Sequence, residues 1–368
     1  MERLFASDAA EEAWFTDAFL AQVPLERMDS IVAQIVGDFG AVVGVEGERP
    51  PFRLVFERGV ATVQIALDES RRIAGLLITE LAPIASDLES AASNLEPLPG
   101  TLSWLVTIDG QARAAMAPDE PLAVGSTFKL AVLAALLERI DSGELAWDDV
   151  VVVRESWRSL PTGTVHQWPV GSAVTLETLA TLMISISDNT ATDALIDIVG
   201  RERVEAFSPR NAPFLTTREA FVLKNPANAE LLERFREADP DGRRRLLETE
   251  VPDLPMPGLD LFDADPVALD VEWFFSVREL CALMGDVAEL PLMVVNPGVA
   301  DPAAWDLVAF KGGAEPGVLN LTTWVRAVDG TIACVSVTQN RPDAPLEELR
   351  MVTLFRGLLQ ALLGPDGD

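Results

Sequence analysis

Gly125-Ser126-Thr127-Phe128-Lys129-Leu130-Ala131-Val132-Leu133 places a serine immediately before an apolar helical run and a lysine one turn further on. At a helix start the backbone N–H groups lack partners and the dipole is positive, so the Ser126 hydroxyl stands where a developing anion is favoured. Lys129, three residues on, returns to the same face. A serine hydroxyl is a weak nucleophile until a neighbour takes its proton, and a desolvated lysine beside a second cation can lose its own proton to become that neighbour. The plainer alternative is a surface lysine on an ordinary helix. Composition weighs against it, because only three lysines occur in 368 residues.

Two further stretches supply what this chemistry still needs. Ser187-Asp188-Asn189 lies between the apolar Leu182-Met183-Ile184 and a helical stretch, Ala191 to Val199, and reads as a turn. A serine there can pass a proton to a departing group, the asparagine amide can hold a substrate carbonyl or the lysine, and the aspartate can lock the turn through backbone N–H groups. Taken alone, the tripeptide is a helix cap. Lys311-Gly312-Gly313 follows the strand residues Leu307, Val308 and Phe310 and offers the second cation. Paired glycines on a strand mark a bulge or a close approach of backbone to ligand, or else a tight turn. An edge strand at this point pairs with an extended substrate, while Ala314 N–H joins Ser126 N–H in an oxyanion hole.

Composition removes rival mechanisms. The chain has no tyrosine, and His166 is its single histidine. A Ser-His-Asp triad would have to use His166, which sits in the turn-rich Leu160-Pro161-Thr162-Gly163-Thr164-Val165-His166-Gln167-Trp168, and no Gly-x-Ser-x-Gly elbow surrounds Ser126. A lone histidine of this kind is more often structural or exposed, or sits at a pocket mouth.

The three motifs, in this order, resemble those of the penicillin-recognising serine hydrolases. Ser126-x-x-Lys129 together with Ile184-Ser185-Ile186-Ser187-Asp188-Asn189-Thr190-Ala191 is most similar to the class A β-lactamases, over about residues 98 to 365. With the small unit ahead of it, the chain resembles the two-domain β-lactamase-like branch associated with clavulanic acid biosynthesis, whose first domain is similar to the steroid-isomerase and NTF2-like fold and which also favours Lys-Gly-Gly. The resemblance implies Ser126 as acylated nucleophile, Lys129 as base and Ser187 as proton shuttle. It implies Asn189, Lys311, Gly312 and Gly313 at the substrate, and Ala314 as an oxyanion donor. The expected activity is that of a serine hydrolase, β-lactamase-like or esterase, on small amides and esters, with no metal or organic cofactor. The alternatives are a binding or scaffold protein that retains the fold, and a D-alanyl peptidase-type enzyme. Two departures bear on this. Class A enzymes carry Lys-Thr-Gly or Lys-Ser-Gly, whose hydroxyl helps bind a substrate carboxylate, and Gly312 has none. They also carry a Glu-x-x-x-Asn loop that activates water. Glu219 in Thr216-Thr217-Arg218-Glu219 is the nearest counterpart, but no asparagine stands four residues later, and the residue itself reads as an exposed glutamate at a helix start.

The rest of the chain frames this site. Leu102 to Ile108 reads as a strand, Thr127 to Ile140 and Leu176 to Ile186 as helices, Leu307 to Lys311, Val318 to Val328 and Thr331 to Thr338 as strands, and Leu346 to Leu363 as a closing helix. Upstream, residues 10–40 suggest two helices. Phe52, Leu54 and Phe56, then Ala61, Val63, Ile65 and Leu67, alternate as antiparallel strands about Arg58-Gly59, and a third strand covers 73–79. Pro83 to Gly100 reads as a connector. The expected fold is α+β: a class A β-lactamase-like αβα sandwich at 97–368, with an antiparallel sheet flanked by helices and a helical subdomain, preceded by a small NTF2-like α+β domain with its linker at 1–96. The net charge of −30 argues against nucleic acid and anionic membrane, leaving a small-molecule acyl substrate as partner. Cys281 and Cys334 match no zinc spacing and are expected to be a reduced, buried pair. Neither a signal-like N-terminus nor a membrane span is legible, so a cytoplasmic location is expected.

Overall fold

Leu307–Glu315, Val318–Arg326 and Ile332–Asn340 are joined by short turns at Pro316-Gly317 and 327–331, and pair as consecutive antiparallel strands. Thr101–Ile108 adds to the third of them and Gln111–Met116 adds to Thr101–Ile108, giving a five-stranded sheet in which Leu307–Glu315 is an edge. Gln111–Met116 is invisible to hydrophobic alternation because it too is an edge, with three exposed residues at its start. The computed structural model describes residues 2–6, 10–47, 49–83, 87–159, 162–258 and 265–363. Within them the chain forms two units. One runs to Leu95 and takes in the chain from Leu349 onward, and the other is Glu96–Glu348.

In the larger unit, the sheet strands alternate apolar side chains towards the helix Val277–Val287, which buries Val277, Leu280, Leu283, Met284 and Val287. The helix Lys129–Asp141 is buried from Lys129 through Leu136, so it is apolar on every side and forms the centre of a helical layer with Leu176–Ser185 and Asn189–Val199. The α+β arrangement expected from the motifs, an antiparallel sheet flanked by helices with a helical layer beside it, is the one observed. The cysteines correct an expectation. Packing of Val277–Val287 on the sheet brings the Cys281 and Cys334 Cα atoms to 5.9 Å, and the two form a disulfide across 53 residues rather than a reduced pair. Sequence spacing carries no information about a contact made between a helix and a distant strand.

The smaller unit pairs the helix Leu25–Phe39, which buries Met28, Val32, Ile35 and Phe39, with a four-stranded antiparallel sheet. Its strands are Val42–Glu46, Phe52–Phe56, Gly59–Leu67 and Ile73–Pro83, in that order across the sheet. Val42–Glu46 is a mostly exposed edge and so carries no inward alternation to read. The strand starting at Ile73 runs past 79 to Pro83, and Leu88–Ser93, capped by Asp87, is a short helix inside the expected connector, of which residues 84–86 lie outside the described residues. The closing helix, Glu348–Ala361, lies for the most part in this unit, where Arg350 and Asp38 approach to 3.8 Å. Among the described residues, no helix is long and apolar enough to cross a membrane.

Candidate active site

Three short-range constraints fix the start of the nucleophile helix. Asn340 clamps Ala123 from both sides, its Oδ1 accepting from Ala123 N and its Nδ2 donating to Ala123 O, each at 2.9 Å. Leu122–Ala123 pairs with Phe274–Phe275, and Val124 N donates to Trp273 O at 3.1 Å. The Trp273 ring stacks on Phe128 with centroids 3.9 Å apart. The turn Gly125–Phe128 then feeds directly into Lys129–Asp141, leaving Ser126 partly exposed and Lys129 wholly buried.

The strand Leu307–Glu315 runs against this turn. Gly125, at a φ of +50°, would bring an added methyl within 3.2 Å of Ala314 N. At Gly313 an added methyl would fall 2.5 Å from Ser126 N and 2.6 Å from Thr127 N, and closer still to Val124 O. Backbone thus meets backbone at Gly313, which is why the position takes glycine. Gly312 differs, since a methyl there meets chiefly the tip of the Phe310 ring, at 2.9 Å. Ala314 is exposed beside the turn, on the wall of the Ser126 cleft.

Lys129 Nζ lies 2.7 Å from Ser187 O, 3.0 Å from Ser187 Oγ and 2.7 Å from Asn189 Oδ1. Burial, and then the charge of Lys311, hold its pKa well below the ordinary lysine value of 10.5. All three oxygens accept from the Lys129 amine, so its N–H bonds are spent inside the protein. Lys311 Nζ donates to the same Ser187 Oγ at 3.1 Å and to Gly312 O at 2.5 Å, and burial pushes its pKa down to about 7. Ser187 therefore bridges the two amines, in a left-handed backbone conformation, φ +57°, that a serine adopts only at some cost. Among the described residues, Ser126 Oγ makes no hydrogen bond. Ser126 lines the cleft.

Asp188 holds the turn. Its Oδ1 caps Ala191 N at 2.9 Å and its Oδ2 accepts from Thr164 N at 2.6 Å and Val165 N at 2.8 Å. Thr162 Oγ1 donates to Ser187 O at 2.6 Å, fastening the same loop over the turn. His166 is not among the residues lining the cleft, so it supplies no triad there. Glu219 corrects a second expectation. It begins the helix Thr217–Lys224 in a capping box with Thr216, but it is buried and paired in two-pronged fashion with Arg201, at 2.7 and 2.9 Å. It faces a different cavity, and its neighbour Thr217 lines the Ser126 cleft instead.

The cleft, of about 380 Å³, is lined by Ser126, Asn189, Thr217 and Ala314, by the rings of Phe128, Phe221 and Trp273, and by Glu315 and Glu348 among others. The rings, Thr217 and Glu315 escaped sequence reasoning. One signal was present: the third lysine, Lys224, is also buried and binds Glu315 at 2.6 Å and Glu272. Behind Thr217, Asp193 accepts from Thr217 N at 2.7 Å, from Thr217 Oγ1 at 2.8 Å and from Arg218 N at 2.9 Å, and burial raises its pKa to about 7. Among the described residues no group of side chains is arranged to hold a metal.

Residues 86–238 match the model of the β-lactamase enzyme family, a stretch that includes Ser126, Lys129 and Ser187-Asp188-Asn189. The larger unit has a class A β-lactamase-like fold. A β-lactamase of Rhodobacter capsulatus is 37% identical over 82 residues, which is 22% of this chain and only 28% of that one. Among solved structures, the β-lactamase of Sphaerobacter thermophilus superposes with a TM-score of 0.53 at 22% identity, covering 76% of this chain and 99% of that one. A reconstructed class A β-lactamase of the last common ancestor of Gram-negative bacteria gives 0.52 at 18% identity, covering 76% and 100%. At such identity these structures speak to the fold. The Lys311-Gly312-Gly313 strand lies outside the matched family stretch, and its place in the class A β-lactamase-like site rests on the geometry above.

Proposed function

We propose that this protein is a serine hydrolase that forms an acyl-enzyme on Ser126, acting on small amides or esters with β-lactamase-like or esterase activity. The observation that carries the reading is the bridging of Lys129 and Lys311 by Ser187 Oγ beside the Ser126 cleft. Ser126 Oγ attacks the acyl carbon, and its proton passes to Lys129, whose pKa burial holds well below the ordinary lysine value. Ser126 N–H and Ala314 N–H receive the charge on the carbonyl oxygen. The tetrahedral adduct expels the leaving group, which takes the proton back from Lys129 through Ser187. Water then adds to the ester and releases the acid. Glu219, the nearest sequence counterpart of a class A water-activating glutamate, is committed to Arg201, so acylation is expected to outrun deacylation. The absence of a hydroxyl at Gly312 further weakens penicillins as substrates.

The test is intact mass after incubation with an activated ester and with a fluorescent penicillin. An adduct lost in Ser126→Ala and slowed at least about a hundredfold in Lys129→Ala, in keeping with the 10²–10⁴ contributed by a positioned base, supports the reading. If no acyl donor leaves an adduct, the fold serves as a binding scaffold instead. We also infer an NTF2-like fold for the smaller unit, supported by a helix laid on an antiparallel sheet whose register breaks at Thr62/Val63 and Ala66/Leu67.

A further inference from the structure

Among the described residues, the charged side chains lining the Ser126 cleft are Glu315 and Glu348, both acids. Neither lysine of the catalytic cluster offers a cation to the cleft, because both are buried and their amines are spent on Ser187, Asn189 and Gly312 O. Among the described residues no arginine lines it either. From this charge pattern we propose that the site selects acyl donors carrying a cationic amino group a few bonds from the carbonyl, seated on Glu315, and discriminates against donors carrying a carboxylate. The inference rests on the acylation of Ser126 proposed above.

Glu315 directly follows the oxyanion donor Ala314 on the edge strand, so a group bound at its carboxylate is close to the acyl carbon along the chain of a short substrate. Its inner oxygen, Oε1, is held at 2.6 Å by the buried Lys224, which fixes the carboxylate in the wall. Lys224 is also met by Glu272, whose carboxyl burial holds well above its ordinary range. Of the three side chains, Glu315 is the one that lines the cleft. Glu348, exposed at the rim, adds a second negative charge with no cation among the described lining residues to offset it. The −30 charge of the chain acts in the same direction at long range. The rings of Phe221 and Trp273 supply apolar walls for the linker between amine and carbonyl.

The test uses the full chain and three p-nitrophenyl esters of matched length: 6-aminohexanoate, hexanoate and the adipate half-ester. Expected is a kcat/KM order of cation, neutral, anion, with about tenfold or more between the first and last at low salt, the scale on which a cleft of one sign concentrates its counter-ion, narrowing as salt is added. Glu315→Gln should collapse that ratio, and Glu348→Lys at the exposed rim should reduce it without touching the buried cluster. Equal turnover of cationic and anionic esters, or a ratio indifferent to salt and to both substitutions, overturns the proposal. Binding separates it from the chemistry. In Ser126→Ala, saturation-transfer NMR should detect 6-aminohexanamide in preference to adipamate. That preference without ester turnover sustains the charge selection while ending the acyl-enzyme reading. Turnover of the neutral ester through Ser126 with no charge preference does the reverse.

Discussion

Gly312 and Gly313 are neighbours on one strand, yet the structure predicts opposite consequences for adding the same methyl group. At Gly313 the new Cβ would stand 2.5 Å from Ser126 N and 2.6 Å from Thr127 N, both backbone atoms of a turn clamped by Asn340 and Trp273. Contacts between unbonded carbon and nitrogen settle near 3.5 Å, so strand and turn must part by about an ångström. That displacement separates the Ser126 and Ala314 N–H groups proposed to receive the oxyanion. Loss of one well-placed donor costs about 10²–10³ in rate, or about 3–4 kcal/mol. The accompanying strain should cost about 1–3 kcal/mol of stability, as overpacking does elsewhere. At Gly312 the methyl meets the end of the Phe310 ring at 2.9 Å, a side chain that can yield, and Asn320 O at 3.3 Å. Acylation by Gly312→Ala should stay within about threefold of the parent, a loss well below that of one oxyanion donor. The assay is the second-order rate of adduct formation with an activated ester, followed by intact mass, with thermal melting as the control for folding. A Gly313→Ala protein that is folded and acylates within threefold of the parent refutes the close-approach argument. Equal losses at both positions would show that the strand matters only as a whole.

Lys224→Met leaves Glu272 and Glu315 together without their buried cation and should cost about 3–5 kcal/mol in urea unfolding; a loss under about 1 kcal/mol would show that the cluster is not an ion pair. Reduction of Cys281–Cys334 reopens a 53-residue loop worth about 4 kcal/mol in chain entropy, so reductant should lower the urea midpoint, and thiol labelling of unfolded, unreduced protein should find no free cysteine. Asp193 titrates near 7 in the folded protein against 3.8 when unfolded, so the native state holds an extra proton between those values and its stabilising contribution is lost as pH rises from about 4 to 7. Asp193→Asn should flatten that part of the stability profile, and an unchanged slope assigns it elsewhere. Lys311, whose pKa is pushed down to about 7 from 10.5, acts with the opposite sign and only above that window.

What the sequence disclosed and what it withheld separate along a physical line. The helix Lys129–Asp141 and the strands Val318–Arg326 and Ile332–Asn340 were legible because burial imposes periodicity on their apolar residues, and periodicity is a local property. The edges Gln111–Met116 and Val42–Glu46 were not, since one exposed face erases half the pattern. At the site, lysine scarcity singled out Lys129 and Lys311 because an ammonium is seldom spent in a core without purpose. The same argument applied equally to Lys224, which has no serine three residues before it and so attracted no notice. Glu219 misled for the converse reason. A glutamate at the third helical position satisfies the helix start wherever it is, and only the fold reveals that Arg201 has taken its charge. Short motifs thus report the atoms that react, whose spacing is fixed by one turn of helix or one strand. The charge of the surrounding cleft is assembled from Glu315 and Glu348, the first in a strand and the second in a helix start, and their common cavity is set by long-range packing alone. It follows that a protein can keep the whole reactive cluster of the class A β-lactamase-like fold while its substrate preference is rewritten by residues that no motif contains.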